Sequence, residues 1–352
     1  MTSPVTIGDC LEVLPGMEAD SVDLILTDPP YYRVKGEAWD RQWDTPSAFL
    51  SWVDLFLAEF HRLLKPNGSL YVFASPKMAA RVECLVAERF NVLNNIVWQK
   101  SGPSHAAIYG EERFRQFVQM SERIIFAEHY GADNMAKGEA GYVAKCDELR
   151  GFLFEPLRAY LCGEFERAGM LNTDGKIAAN VACGFSPSSG GMASRHYFSR
   201  SQWCLPTPEH YAAMRKLLNA TGGDYLRREY EDLRREYEDL RREYEDLRRP
   251  FNVTADVPYT DVWTFPAVGA YRGKHPCEKP QALLEHIITA SSRPGAVVLD
   301  PFMGGGSAAV ACQRLGRQFV GIELSPEYAE IAERRIEAAR QAAGLFGKDN
   351  TA

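Results

Sequence analysis

The glycine-rich stretch near the C-terminal end constrains the fold more than any other part of the sequence. An apolar run at Ala296–Leu299 predicts a buried strand that ends at Asp300, and three consecutive glycines follow at 304–306. A helix is predicted from Ser307 to Leu315, a strand from Gln318 to Ile322 and a long helix from Pro326 to Ala343. A strand, a glycine turn, a helix and a second strand ending in an acidic residue form a βαβ unit with parallel strands. The chain is therefore expected to build a parallel sheet.

The first 130 residues show the same alternation of strands and helices. Ser21–Thr27 predicts a buried strand that ends at Asp28. Helices are predicted at Ser47–Leu64, with Ser47 as the N-cap, and at Met78–Arg89, and strands at Ser69–Ala74, Asn94–Gln99 and Arg123–Glu128. This alternation predicts an α/β fold with a doubly wound, mostly parallel sheet and helices on both faces.

The sequence pattern of region 131–273 is helical and irregular. It is interpreted as an inserted helical region between two halves of one domain, 1–130 and 274–343. Residues 344–352 are interpreted as a tail. The inserted region is expected to hold no parallel strand. The stretch Gly175–Gly184, followed by a second helix near Gly191–Phe198, resembles a helix-turn-helix. It either reads DNA or belongs to a plain helical subdomain.

A heptad repeat marks the end of the inserted region. The sequence Arg-Arg-Glu-Tyr-Glu-Asp-Leu occurs three times without change between residues 226 and 249. Its tyrosines and leucines alternate at spacings of three and four, which places them on one stripe of a helix. The stripe is interpreted as a dimerisation surface, as an arm along DNA, or as the face by which the helix packs on its own domain.

Composition excludes several other classes of protein. None of the eight cysteines in the 352 residues forms a C-x-x-C pair, so neither a zinc site nor a disulfide framework is expected. No stretch approaches the ~20 apolar residues of a membrane span, and residues 1–8 lack the features of a signal peptide. A cytoplasmic location is expected. The net charge of −7 requires that any nucleic-acid surface be a local cluster of Arg and Lys.

The residues after Asp300 suit a particular kind of ligand. The segment Asp300-Pro301-Phe302-Met303-Gly304-Gly305-Gly306-Ser307 allows the backbone to approach a ligand closely, and a helix N-terminus follows. A carboxylate at Asp300 holds an ammonium group better than a pyrophosphate, and Glu323 is placed to accept ribose hydroxyls. S-adenosylmethionine carries both groups. The alternative is a purely structural glycine turn.

The residues after the first buried strand, Asp28-Pro29-Pro30-Tyr31, suit the methylation of an amino group. The lone pair of an exocyclic amine is delocalised into the base, so catalysis needs an acceptor for its hydrogen. The Asp28 carboxylate and the Pro29 carbonyl are such acceptors, and Tyr31 offers a flat face for a base turned out of the duplex. The alternative is a rigid turn after a strand.

Taken together, these motifs resemble the amino-methyltransferase family of DNA modification enzymes. The order of the motifs, catalytic first and cofactor-binding last, is similar to the β group of that family, and the middle region is similar in outline to phage-borne members. Further similar segments are Ile7–Cys10, Leu64–Ser69, His275–Pro280 and Gly321–Leu324.

The resemblance implies S-adenosylmethionine as cofactor, double-stranded DNA as partner, no metal, and a Rossmann-like fold. Aspartate rather than serine before Pro-Pro-Tyr favours adenine N6 over cytosine N4. The alternatives are a cytosine-N4 or RNA methyltransferase, or a DNA-binding regulator without turnover.

The implied catalytic residues are Asp28, Pro29, Pro30 and Tyr31. The implied cofactor residues are Asp9, Cys10, His275, Lys279, Asp300, Phe302, Gly304, Gly306, Ser307 and Glu323. The candidate DNA contacts are Lys35, Trp39, Lys176, Arg195 and Arg200.

Overall fold

The computed structural model of the protein describes residues 5–34, 40–101, 117, 119–129, 150–252, 260–269, 271 and 275–346. The described residues form two compact units, one within 1–139 and 249–352 and the other within 140–248. The strands are β1 (Val5–Ile7), β2 (Val22–Thr27), β3 (Leu64–Ala74), β4 (Asn91–Ser101), β5 (Ser121–Glu128), β6 (Val262–Pro266), β7 (Val297–Asp300) and β8 (Gln318–Glu323). The α-helices are α1 (Cys10–Val13), α2 (Pro46–Leu63), α3 (Ala79–Ala87), α4 (Glu155–Arg167), α5 (Thr173–Ala182), α6 (Pro208–Asn219), α7 (Tyr230–Leu247), α8 (Gln281–Ser291), α9 (Ser307–Arg314) and α10 (Pro326–Phe346).

The first unit is built on an eight-stranded sheet with the order β1-β8-β7-β2-β3-β5-β4-β6. The first five strands in this order are parallel to one another: β1, β8, β7, β2 and β3. The strand β5 runs antiparallel to both β3 and β4, and β6 is parallel to β4. The predicted α/β fold with a mostly parallel sheet is confirmed, with β5 reversing the direction in one half of the sheet.

Alternation along the central strands directs side chains into two separate cores. Leu70 and Val72 of β3 pack with the apolar faces of α2 and α3, whereas Tyr71 and Phe73 pack on the other side with α8 and α9. All four side chains are almost completely buried. Because successive residues of a strand point to opposite faces, a continuous apolar run is what a strand covered on both sides requires.

The order of the parallel strands brings four acidic residues to one edge of the sheet. The strands β2 and β7 pair directly, with Ile25 opposite Leu299, and β8 and β1 follow on the far side of β7. Asp28 follows β2 and Asp300 ends β7, so both residues lie at the same edge of the sheet. Asp9 and Glu323 continue the row, because parallel strands place their carboxyl ends together.

Two local predictions are wrong in the first unit. The helix α2 begins at Pro46, and Thr45 rather than Ser47 is its N-cap, because the Thr45 hydroxyl accepts the N–H of Ala48 at 3.1 Å. The strand β6 lies within the region that was expected to hold no parallel strand. It pairs with β4 over five residues at the end of the sheet, where only one neighbour is needed.

The second unit is helical and has its own apolar core, which includes Phe154, Phe165 and Trp203. In the helix-turn-helix-like stretch, α5 ends before Gly184, whose φ of 78° allows the chain to turn. The second helix of that stretch is short and has π-helical geometry at Ser194–Phe198. A role of this segment in reading DNA stays a prediction.

The heptad helix α7 packs its stripe within the second unit. Leu233 and Tyr244 are 2% and 5% exposed, and the Tyr237 ring lies 5.2 Å from that of Phe154 and 5.9 Å from that of Trp203. The opposite face carries arginines and acids that pair at spacings of three and four. Of the alternatives drawn from the sequence, the structure matches packing on its own domain. None of the helices in the described ranges is long and apolar enough to cross a membrane.

Candidate active site

A cavity of about 520 Å³ opens at the edge where Asp9, Glu323, Asp300 and Asp28 meet. It is lined by parts of both sequence motifs and by the segment that begins at His275. The sequence-predicted residues that line it are Asp9, Cys10, Asp28, Pro29, Pro30, Tyr31, His275, Lys279, Asp300, Phe302, Gly304, Ser307 and Glu323. Gly306 does not line the cavity and has a different part in the turn.

Two glycines of the turn after β7 have left-handed backbone conformations. Gly304 has a φ of 49°, and a Cβ there would lie 3.0 Å from Cε1 of His275. Gly306 has a φ of 76°, and its Cβ would lie 2.8 Å from the Cβ of Ala332 on α10. The first glycine lets the His275 ring cover the turn, and the second lets α10 pack against it. A side chain at either position would push the turn out of place.

Asp300 lies deep in the cavity at the end of β7. It is 7% exposed, and its carboxylate accepts the N–H of Phe302 at 3.1 Å. Burial raises the pKa of Asp300 to about 8, and the nearby carboxylates of Asp28 and Glu323 add to the rise. A buried carboxylate surrounded by other acids gains most from a cationic ligand, which fits the ammonium group of a bound amino acid.

Glu323 and Asp9 fix the backbone beside the cavity through their carboxylates. Glu323 accepts the N–H of Gly304 at 2.8 Å and that of Ser325 at 2.9 Å. Asp9 caps α1 by accepting the N–H of Leu11 at 2.9 Å. Each carboxylate oxygen has a second lone pair, so both side chains hold the loops in place and keep acceptors for a ligand's hydroxyls.

An apolar wall faces these acids. The Phe302 ring packs edge-on against Trp52 and Phe56, with centroids 5.6 Å and 5.3 Å apart. Burial raises the pKa of the Cys10 thiol to about 12, so this side chain is neutral. His275 is also neutral, because burial lowers its pKa to about 4. The wall suits the flat, uncharged part of a nucleoside.

Arg335 of α10 connects the turn after β7 to the segment before α8. Its guanidinium donates to the carbonyl of Gly305 at 2.6 Å, to Glu278 at 2.8 Å and to the Ser307 hydroxyl at 3.4 Å. Tyr271 donates to the other oxygen of Glu278. No local motif predicted Arg335, because its role depends on how α10 folds back on the turn.

The Asp28 carboxylate is engaged on both oxygens. The Tyr31 hydroxyl donates to Oδ1 at 2.7 Å, and the Lys279 ammonium forms an ion pair with Oδ2. Burial raises the pKa of Asp28, and the charge of Lys279 opposes that rise. Lys279 stays a predicted cofactor residue; it lines the cavity, and its Nζ also lies 5.6 Å from the centre of the Tyr31 ring.

Two further charged residues complete this cluster and were missed by the sequence analysis. Glu122 lies 3.4 Å from Lys279 and accepts the Tyr31 hydroxyl at 3.1 Å. Lys100 forms an ion pair with the other oxygen of Glu122. Burial acts to raise the pKa of Glu122, but the two lysines outweigh it and hold the pKa at about 2. Glu122 is therefore ionised at neutral pH.

None of the five candidate DNA contacts belongs to the described residues of the first unit. Lys35 and Trp39 lie outside the described residues. Lys176 of α5 is half-buried, and Arg195 and Arg200 are exposed, all in the second unit. Arg200 lies 3.8 Å from Glu155. Among the residues that the structure describes, no group of three His, Cys, Asp or Glu side chains could hold a metal ion.

Comparison with known proteins decides the family. A family model for N6- and N4-methyltransferases, described as DNA methylase, matches residues 22–334. The chain belongs to the DNA methylase family. The match runs from β2, just before the Asp28 motif, into α10, so this DNA methylase carries both motifs within the matched region.

Two curated relatives match nearly the whole DNA methylase. The type II methyltransferase M2.DpnII of Streptococcus pneumoniae is 25% identical over 95% of this chain and 89% of its own. The DNA adenine methyltransferase YhdJ of Escherichia coli (strain K12) is 26% identical over 94% of this chain and 82% of its own. The solved cytosine-N4-specific PvuII DNA methyltransferase shares the fold, with a TM-score of 0.52 and 12% identity over 98% of this chain and 91% of its own.

Proposed function

We propose that this DNA methylase transfers the methyl group of S-adenosylmethionine to N6 of an adenine turned out of the DNA duplex. The observation that carries the proposal is the meeting of Asp28 and Asp300 in one cavity at the ends of paired strands. The two carboxyl groups thereby lie where an acceptor for the amine and a counter-ion for the ammonium group of the methyl donor would be needed. The naming of YhdJ as an adenine methyltransferase supports the choice of base.

The residues around Asp300 fit the methyl donor. Asp300 would pair with the ammonium group of its methionine part, and Glu323 and Asp9 would accept hydroxyl and adenine hydrogens. Phe302 and Cys10 offer apolar surface for its ring. Gly304 and Gly306 keep the turn close to the cavity. When bound, S-adenosylmethionine supplies an electrophilic methyl group on a sulfonium.

The residues around Asp28 fit the methyl acceptor. The Asp28 carboxylate and the Pro29 carbonyl would accept the two hydrogens of the adenine amino group, so that electron density rises on its nitrogen. Tyr31 would stack on the base, and Pro30 keeps the turn rigid. Holding the two reactants together in one cavity would supply much of the acceleration without a metal or a covalent intermediate.

The product of the reaction tests the proposal. The protein is incubated with S-adenosylmethionine and DNA from a host without methylated bases, and the DNA is hydrolysed and analysed by nucleoside mass spectrometry. We expect N6-methyladenine that depends on Asp28, with no product in the Asp28→Ala variant. N4-methylcytosine as the main product, or methylation only of RNA added in parallel, would overturn the choice of substrate.

We further propose that the second unit binds the DNA backbone through Lys176, Arg195 and Arg200. Lysine and arginine bind phosphates in a salt-dependent way, and the overall negative charge of the chain makes a local basic cluster necessary. The triple substitution to glutamine is expected to weaken DNA binding and to reduce its salt dependence. Unchanged binding at two salt concentrations would contradict this assignment.

A further inference from the structure

We propose that Glu122 is a positioning residue for Asp28, because it takes over Lys279 when the target amino group binds. This inference rests on the proposed methylation of an exocyclic amine. In the structure Lys279 is paired with Asp28. On arrival of the base, Lys279 shifts to Glu122, and Asp28 without the adjacent ammonium is a stronger acceptor for a hydrogen of the amine.

The need for such a shift follows from the charge beside Asp28, because an ammonium on one of its oxygens weakens that oxygen as an acceptor even though a lone pair remains on it. One oxygen already accepts from Tyr31 and the other from Lys279. The Lys279 side chain is 8% exposed, so water cannot easily replace Asp28 as its partner. A buried ammonium that loses its partner has a high free energy unless another carboxylate receives it. Lys279 therefore needs a second acceptor within a short movement.

Glu122 is that acceptor in geometry and in charge. Its Oε2 lies 3.4 Å from the Lys279 ammonium, at the edge of ion-pair distance, so a shift of less than about 1 Å completes a normal hydrogen bond. The Glu122 side chain is 15% exposed and does not leave the cluster. The same oxygen accepts the Tyr31 hydroxyl at 3.1 Å, so Tyr31 also has an alternative to Asp28.

The shift matters for the reaction because of the sign of the charges. The target nitrogen becomes more positive as the methyl group arrives, and an ammonium on the accepting oxygen opposes that change. Asp28, Glu122 and Lys279 together carry one net negative charge. With Lys279 on Glu122, that charge stays on Asp28. Lys100 neutralises the outer oxygen of Glu122, and Asp300, the other acid that faces Asp28, is placed for the ammonium of the methyl donor.

The test compares variants by single-turnover methylation of unmethylated DNA between pH 5.5 and 9, on whichever methylated base the wild-type protein makes. Glu122→Gln is expected to slow the reaction about 10-fold or more, to move the acid limb of the pH profile down, and to leave S-adenosylmethionine affinity within about twofold. The acid limb moves to lower pH because removal of the Glu122 charge lowers the pKa of Asp28. Glu59→Gln, which removes a carboxylate paired with Arg62 on α2, is the matched control.

A second pair of variants separates positioning from folding. Lys279→Met leaves two buried carboxylates together, so the Asp28 pKa rises and the acid limb moves up. Adding Glu122→Gln to Lys279→Met removes that repulsion and is expected to restore part of the rate at neutral pH. Glu122→Gln is therefore expected to slow methylation in the wild-type protein and to speed it in the Lys279→Met variant. Lys65→Gln, which removes the partner of Asp23, is the control.

The outcomes distinguish failure of the positioning role from failure of the proposed function. A rate and pH profile for Glu122→Gln within twofold of the wild type would overturn the positioning role while the proposed function stands. A double variant slower than Lys279→Met would overturn it as well. A wild-type protein that methylates no base would overturn the proposed function, and this inference with it.

Discussion

The ammonium group of Lys279 is paired with the carboxylate of Asp28, which lies 251 positions earlier in the chain. Lys279 ends the segment that covers one side of the cavity, and Asp28 follows the central strand β2 on the other side. The pair joins two distant parts of the sequence within the cavity. It also favours the ionised form of a carboxyl group whose pKa burial raises.

Replacing Asp28 should remove catalysis and leave the methyl-donor site intact. Asp28→Asn keeps the shape of the side chain but weakens the acceptor and breaks the pair with Lys279. We expect the single-turnover rate to fall by about 10²- to 10⁴-fold, with S-adenosylmethionine affinity unchanged within about threefold. Isothermal titration and product analysis measure the two effects separately. Asp54→Asn, which affects a carboxylate paired with Arg89, is the control and should keep full activity.

The affinity for S-adenosylmethionine should rise with pH through Asp300. Burial raises the pKa of Asp300 to about 8, so most of this carboxyl is protonated at pH 6 in the free protein. Only the ionised form pairs with an ammonium, so binding releases a proton and strengthens by up to about 10-fold per pH unit below that pKa. The range from pH 6 to 7.5 avoids loss of the ligand's own charge. Asp300→Asn should bind weakly at every pH. A flat wild-type profile would show that Asp300 does not hold the ammonium group.

Arg335 should affect methyl-donor binding although it touches no part of the reacting groups. It holds the Gly305 carbonyl and Glu278 together across the turn after β7. We expect Arg335→Gln to weaken S-adenosylmethionine binding about 10-fold, with a smaller effect on the rate at saturation. The neighbouring Arg334→Gln is the matched control, because Arg334 is exposed and donates to the carbonyl of Glu330 in its own helix. Equal effects of the two variants would count against the assignment.

The heptad helix offers two leucines at the same repeat position in different surroundings. Leu233 is 2% exposed and Leu247 is 43% exposed. If α7 packs within its own unit, Leu233→Ala should lower the free energy of unfolding by about 2–5 kcal/mol and Leu247→Ala by about 0.5 kcal/mol or less. Urea unfolding measures both. Similar losses for the two variants, with a change in oligomeric state, would indicate a coiled coil between chains instead.

Local sequence was enough to predict the strands that carry the two motifs. The run before Asp28 and the run before Asp300 are short, apolar and followed by turn residues, and such signals do not depend on distant parts of the chain. The same holds for the glycine turn and for the acid at Glu323. The family resemblance then related the two motifs, and the pairing of β2 with β7 is the contact that such a relation requires.

The charged cluster could not be predicted in the same way. Glu122 and Lys100 are neighbours because β4 and β5 are antiparallel with Trp98 opposite Glu122, and that register depends on the whole sheet. The ion pair between Lys279 and Asp28 was not predicted for a related reason, since the resemblance gave the segment of Lys279 and not the direction of its side chain. The strand β6 was missed because five residues at a sheet edge carry little periodicity.

Three identical heptads occupy three different surroundings on α7. A leucine that is buried in the first copy is exposed in the last, and yet the copies do not differ at any position. A gain or loss of one copy would change the helix by about 10.5 Å, which is close to two turns. The apolar stripe would stay on the same side of the helix. The helix can therefore become longer or shorter by whole repeats and keep its core-facing pattern.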